Sequence, residues 1–331
     1  VFLDDFIVPI LYGVLLAMLF APICRYLEGK GIHRSLAIGI CLLIVTLVIG
    51  LVCFLLYTQL IGLAKDVHLF RSKAEQKFGD ALCFVERVVH ISEEDQRGWL
   101  KDHYEKMLSL GTGIFRSLLQ SLSSGAELSL IVLVYLFLFL FTRTRIKDFI
   151  LMVLPQQNPF TVLSVMSKTE TVTRRYMSGV LKLILLMGVL NTLGFMICGV
   201  KHAIFWGIFR GLLNAIPYVG PIIGAIFPFL SSLVYTEGWM QPLGVAIVVV
   251  VTQLIQDYYI LPVLVGSNIK LNPLTTIMAV LVGNLIWGVH GMILLLPLIG
   301  VLKVLFDHVP SLHALGYLLG DEKNKENRPD S

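Results

Sequence analysis

The chain has 331 residues, of which 56% are hydrophobic and only 15% charged, against the roughly 25% charged residues of a soluble globular domain. A net charge of +4 without a basic stripe interleaved with aromatics excludes nucleic acid as a partner. The apolar residues gather in blocks approaching or reaching the ~20 residues that cross a hydrocarbon layer, so the partner is a lipid bilayer.

The first block, Phe6 to Ile23, ends at a loop carrying Arg25, Lys30 and Arg34 against the single acid Glu28. By the excess of Lys and Arg on cytoplasmic loops, that loop is cytoplasmic. The block Ser35–Tyr57 then runs outward and Leu128–Phe141 returns, since Arg143, Arg145 and Lys147 follow it. On this reading the first block enters from outside although the chain begins at its edge with Val1. The expectation is therefore that a further hydrophobic segment precedes Val1; an authentic external N-terminus is the alternative.

Thr58–Glu127 is a mixed-charge insertion on the translocated side. Leu63, Val67, Phe70 and then Phe78, Leu82, Val85, Val89 recur at spacings of three and four, which predicts amphipathic helices. Ser92 with Asp95 opens a second helix as a capping box. Residues Arg143 to Arg175 return to the basic side, where Arg174 and Arg175 are headgroup anchors. Four of the five cysteines lie in or beside apolar blocks, and their spacing builds neither a disulfide framework nor a zinc site.

From Met177 onward the sequence carries the candidate functional residues. The apolar run Ala203 to Tyr235 is interrupted by Ile216-Pro217-Tyr218-Val219-Gly220-Pro221, with Gly224 beyond. Two prolines there prevent an unbroken helix, and a break at membrane depth needs protein or trapped water to satisfy the freed backbone. Broken helices of this kind build solute and ion sites in transporters; a tight turn between two short spans is the alternative. Asn284, Gly288 and Pro297 punctuate a second run, Leu271 to Phe306. Asn214-x-Ile216-x-x-Val219 and Asn284-x-Ile286-x-x-Val289 share a short pattern, which either an internal repeat or chance similarity would give.

Between the runs, Leu243–Leu261 carries Asp257, with Gln253 and Gln256 near it on the helix and Pro262 ending the segment. A carboxylate at depth is costly unless it faces a cavity or a partner, so Asp257 is a candidate for binding a coupling cation; wetting by headgroups near Pro262 is the alternative. Arg210, in otherwise apolar sequence, is expected either to pair with Asp257 or to snorkel. Asn191 and Asn214 bridge helices or line the path. No zinc-protease, nucleophile-elbow or phosphate-loop motif is present, which argues against an enzyme and against nucleotide hydrolysis in cis.

Arg174-Arg175-Tyr176, IPYVGPIIG at 216–224, Gln256-Asp257-Tyr258 with Leu261-Pro262, and the stretch from Gly288 to Lys303 together resemble the AI-2E family of bacterial transporters, also called PerM-like permeases. The resemblance covers nearly the whole chain. It implies a secondary transporter of the inner membrane, with autoinducer-2 export or sodium/proton antiport as the activities associated with members, and homo-oligomers, pentamers among them. Two departures stand out: Ser178-Gly179-Val180 replaces a frequent Gly-Gln pair, and Arg210 occupies a normally apolar stretch.

The fold expected is an all-α polytopic transmembrane bundle with proline-broken or re-entrant helices and a helical extracytoplasmic insertion. Its parts are N-terminal transmembrane helices at 1–57, the insertion at 58–127, a transport core at 128–306 and a largely disordered tail at 307–331. The path is assigned to Asp257, Gln253, Gln256, Arg210, Asn214 and Asn284, and the breaks and hinges to Pro217, Gly220, Pro221, Gly224, Pro262 and Gly288. The function expected is movement of a small solute, with a monovalent cation/proton antiporter and a non-transporting scaffold as alternatives. No cofactor or metal is expected beyond Na+ or H+ as coupling ion.

Overall fold

The computed structural model describes residues 4–65, 125, 127–154, 158–266, 271–309 and 312–320. Most of the 58–127 insertion, with its two predicted amphipathic helices, and residues 321–331 of the tail lie outside the described residues. What is described is helical, apart from connecting turns and one bridge pairing Leu271 with Gly320.

Helices α1 (Asp4–Gly29) and α2 (Arg34–Lys65) are followed by α3 (Glu127–Val153) and the 39-residue α4 (Pro159–Ile197). Short helices α5 (Ala203–Leu213) and α6 (Val219–Tyr235) come next. Helix α7 (Met240–Ile255) continues through two π-helical stretches, Gln256–Ile260 and Pro262–Gly266. Helices α8 (Pro273–His308) and α9 (His313–Leu319) end the described chain. Six helices are long and apolar enough to cross a membrane, and their outward faces are lined with exposed Leu, Ile, Val and Phe. The molecule is a multi-pass membrane protein.

Ion pairs fix which helix ends share a face. Arg25 pairs with Glu170 and Arg143 with Glu28, while Arg34 Nη2 donates to the Leu140 carbonyl at 3.1 Å. The end of α1, the start of α2, the end of α3 and the first half of α4 therefore meet at one basic face. Partly exposed pairs like these contribute about 0–1 kcal/mol each; their value here is as markers of register. Beneath them, Ala17, Ala21, Cys24, Ile38, Cys41, Leu136 and Leu140 form the core joining α1, α2 and α3.

Helices α4 and α5 pack antiparallel along a seam of small residues. A Cβ on Gly207 would meet Thr192 Oγ1 at 2.1 Å, and one on Gly211 would meet Gly188 Cα at 2.7 Å. Lipid gives helices no hydrophobic reason to associate, so close backbone approach at small residues supplies the contact energy instead. Asn191 ties α4 to α7: it accepts from Thr252 Oγ1 at 3.0 Å and donates to Met187 O at 2.7 Å.

The two interrupted runs both fold back on themselves as helical hairpins. In the first, Lys201, before α5, lies 4.9 Å from the ring centroid of Tyr235, at the end of α6. Gln241 closes the same base by donating to the carbonyls of Gly199, at 2.6 Å, and Cys198, at 3.1 Å. Eleven residues of α5 rise about 16 Å, roughly half the ~30 Å hydrocarbon thickness, so α5 alone is too short to cross.

The second hairpin is folded into α8, which reverses at Trp287 (φ −133°, ψ 20°) and Gly288 (φ 57°, ψ −135°). Across the reversal a Cβ on Gly291 would fall 1.9 Å from Gly283 O, and Ala279 shares a core cluster with Leu296. Its base is tied by Asn272, which donates from its backbone to Leu319 O at 3.1 Å and from Nδ2 to Leu318 O at 2.8 Å. Helix α9 thus orders 313–319, part of the segment expected to be a disordered tail. Its Gly316 packs on Asp307, where a Cβ would meet Oδ1 at 2.3 Å.

The hairpins open at opposite faces. Lys168 Nζ sits 2.9 Å from His308 Nε2, which puts the base of the second at the basic face, while the first opens where α4 ends and α7 begins. Helix α4 followed by the first hairpin and α7 followed by the second run in opposite senses, an order of elements of the kind found in secondary transporters with inverted repeats. The shared sequence pattern falls on the two tips. Its fifth position is Tyr218 in one and Gly288 in the other, and both have positive φ, 65° and 57°.

Candidate functional site

Arg210 is 0% exposed. It lies on α5 with α6 and α7 against it: a Cβ on Gly224 would come within 2.9 Å of its Cγ, and its Nη2 donates to Val249 O at 3.2 Å and Gln253 Oε1 at 3.3 Å. Its Nε and Nη1 are buried and have no acceptor among the described residues. A guanidinium held in this way is a strong candidate for function, since a buried charge is retained only where a partner or ligand offsets its desolvation.

Gln253 carries the connection onward. Its Nε2 donates to both carboxylate oxygens of Asp257, at 3.0 and 3.1 Å. The direct Arg210–Asp257 pair expected from the sequence is not formed. One amide spans the gap, accepting from the cation and donating to the anion, and Asp257 itself is exposed on the helix surface. Gln256 is 4% exposed, with Oε1 unsatisfied among the described residues.

Asn214 follows Arg210 by four residues, so the two share a face of α5. It is 6% exposed, and neither Nδ2 nor Oδ1 has a partner among the described residues. The chain turns here because Pro217 has no N–H to continue the helix. Val219 N–H then closes on Pro217 O at 2.7 Å, a tight three-residue turn that drives Tyr218 to φ 65°, ψ −51°, a conformation that is strained for a non-glycine residue. Gly220 lets α6 start against α5, for a Cβ there would lie 1.8 Å from Leu213 O. Pro221 is the third residue of α6, where its missing donor costs nothing.

Pro262 does not end α7 as expected. The helix widens first: Leu261 N–H bonds Gln256 O, an i to i−5 bond, and the wider turn accommodates the proline ring, as π-bulges at functional sites do. Asp257 therefore sits within the apolar helix Met240–Leu264, not at its last turn. Asn284 is exposed on the second hairpin and is not joined to the Arg210 cluster, and Gly288 supplies that hairpin's reversal. The sequence reading named Gln253 without seeing its bridging role, and it missed the Gly207-x-x-x-Gly211 seam, a small-residue spacing open to inspection.

A model of the family described as AI-2E family transporter matches residues 1–311. The chain belongs to the AI-2E transporter family. It is 27% identical to YrrI of Bacillus subtilis over 315 residues, covering 91% of this chain and 86% of that protein. It is 25% identical to YueF of the same organism over 331 residues, 94% and 86% of the two chains. The names of both describe candidate transport proteins. The AI-2 transport protein TqsA of Escherichia coli is 22% identical over 334 residues, covering 98% of this chain and 92% of that protein. As a member of the AI-2E family, the chain places its buried Arg210 and its two helical hairpins within a lineage of transport proteins.

Proposed function

We propose that this AI-2E family protein is a secondary transporter or facilitator that moves a small solute across the bacterial inner membrane, along a path between the first hairpin tip and the Gln253–Asp257 face of α7. The observation that carries this reading is Arg210: a fully buried cation with N–H groups unsatisfied among the described residues, beside a helical run broken at Pro217 and linked through Gln253 to a carboxylate. Two antiparallel hairpins opening at opposite faces suit alternating access. TqsA is named for AI-2 transport, and an autoinducer-2-like molecule is one solute this reading accommodates.

Asp257 binds the coupling cation or proton in this proposal, and its exposure on an apolar helix favours a second reading, monovalent cation/proton antiport. The test is flux in proteoliposomes, wild type against Asp257→Asn, with a pH-sensitive dye inside and sodium added outside. Solute uptake that loses its dependence on the ion gradient in the variant supports coupling through Asp257. Unchanged coupled uptake removes Asp257 from the mechanism, and a sodium-driven pH change without solute selects antiport.

A further inference from the structure

The geometry points to the chemical class of the solute: we infer that Arg210 and Asn214 bind a small organic oxyanion carrying a hydroxyl group, in the manner of a hydroxycarboxylate. This inference rests on the transport reading above and narrows it.

Arg210 has a full positive charge in a site with no exposure, and no carboxylate among the described residues makes an ion pair with it. Its Nη2 bonds are to neutral oxygens, those of Val249 and Gln253. Asp257 is reached only through the Gln253 amide and remains open to its surroundings. The cation is therefore partly solvated by dipoles and not neutralised, while Nε and Nη1 together present three N–H bonds with nothing among the described residues to accept them. A planar oxyanion supplies both the missing charge and the missing acceptors, and guanidinium is the side chain whose donor geometry matches it.

Asn214 makes the ligand more specific. Both ends of its amide are unsatisfied among the described residues, the donor Nδ2 and the acceptor Oδ1, one helical turn from Arg210 on the same face. A halide or a simple carboxylate would satisfy the donor at most. A hydroxyl next to the oxyanion donates and accepts, and so satisfies both ends. The closeness of Gly224 to Arg210 Cγ limits the occupant to a small molecule unless α6 moves away from α5.

The test is thermal unfolding of the purified full chain in detergent, at fixed ionic strength, with glycolate, lactate or glycerate, against acetate and against the corresponding hydroxyamides. A ligand held at about 100 times its dissociation constant stabilises measurably. The hydroxy acids are expected to raise the midpoint by several degrees and saturably, acetate less, and the amides not at all. Arg210→Gln should abolish the shift and Arg210→Lys retain part of it, each first shown to be monodisperse. Asn214→Ala should bring glycolate down to the level of acetate, which keeps the test decisive should Arg210→Gln fail to fold. Equal shifts from acids and amides, a shift that survives Arg210→Gln, or no shift from any hydroxy acid would each overturn the inference. Proteoliposome flux without acid binding would leave transport standing and sink the anion class; acid binding without flux would do the reverse.

Discussion

Arg210 and Asp257 are joined without touching, since Gln253 accepts from the one at 3.3 Å and donates to the other at 3.0 and 3.1 Å. The amide holds two opposite charges apart in a medium where direct contact would be hard to undo. A cation and a carboxylate each left available for a ligand are more useful to a carrier than a sealed ion pair.

Gln253→Leu removes that link. Arg210 keeps only the Val249 carbonyl, and a lost acceptor at a buried donor costs about 1–3 kcal/mol. The expected result is a lower unfolding midpoint together with a fall in flux of about tenfold or more, the equivalent of about 1.4 kcal/mol. Flux at the wild-type level in a destabilised variant would mean that Gln253 only holds helices together.

Glycine substitutions should rank by what their new Cβ meets. Gly220→Ala strikes Leu213 O, Gly224→Ala strikes Arg210 Cγ, and Gly39→Ala and Gly50→Ala point into open space. Overpacking costs about 1–3 kcal/mol, whereas alanine in place of an open helical glycine gains up to about 1 kcal/mol. Midpoints should fall most for position 220, less for 224, and hold or rise for 39 and 50. A Gly220→Ala variant as stable as wild type would contradict the described tip.

The two tips should respond oppositely to glycine and alanine. Tyr218→Gly relieves a positive φ, and Gly288→Ala creates a strained one. Such strain is worth about 1–3 kcal/mol, so the first change should raise the unfolding midpoint and the second should lower it. Two shifts of the same sign would show that the tips do not hold these backbone conformations.

Both hairpins predict a labelling pattern. In a cysteine-free background, cysteines at Lys201 and Glu237 should react with a membrane-impermeant maleimide from one face, and those at Lys168 and His308 from the other. Opposite-face labelling of 201 and 237 would turn the first hairpin into a single crossing.

The bilayer, the basic loops and the places where helices break could be read from single residues, because charge, proline and apolar length act locally. The ion pairs of Arg25 and Arg143 with Glu170 and Glu28 place together the ends that positive charge had grouped. The direction of α5 and α6 could not be read, since Ala203–Tyr235 holds too few charges to report a face; the contacts of Lys201 and Gln241 decide it. The end of α7 was misplaced because proline was weighed without the π-turn that absorbs it. Arg210 was noticed for its charge, but its partner depends on which side of α7 faces α5, a matter of packing.

Tyr218 and Gly288 each sit at positive φ in the turn of a hairpin, and the two hairpins open at opposite faces. A tyrosine held at positive φ stores energy that a glycine does not, so the two turns are not equal in energy. The strain of the pair is therefore concentrated in the first hairpin, and a change that straightens Tyr218 is cheaper there than its counterpart at Gly288.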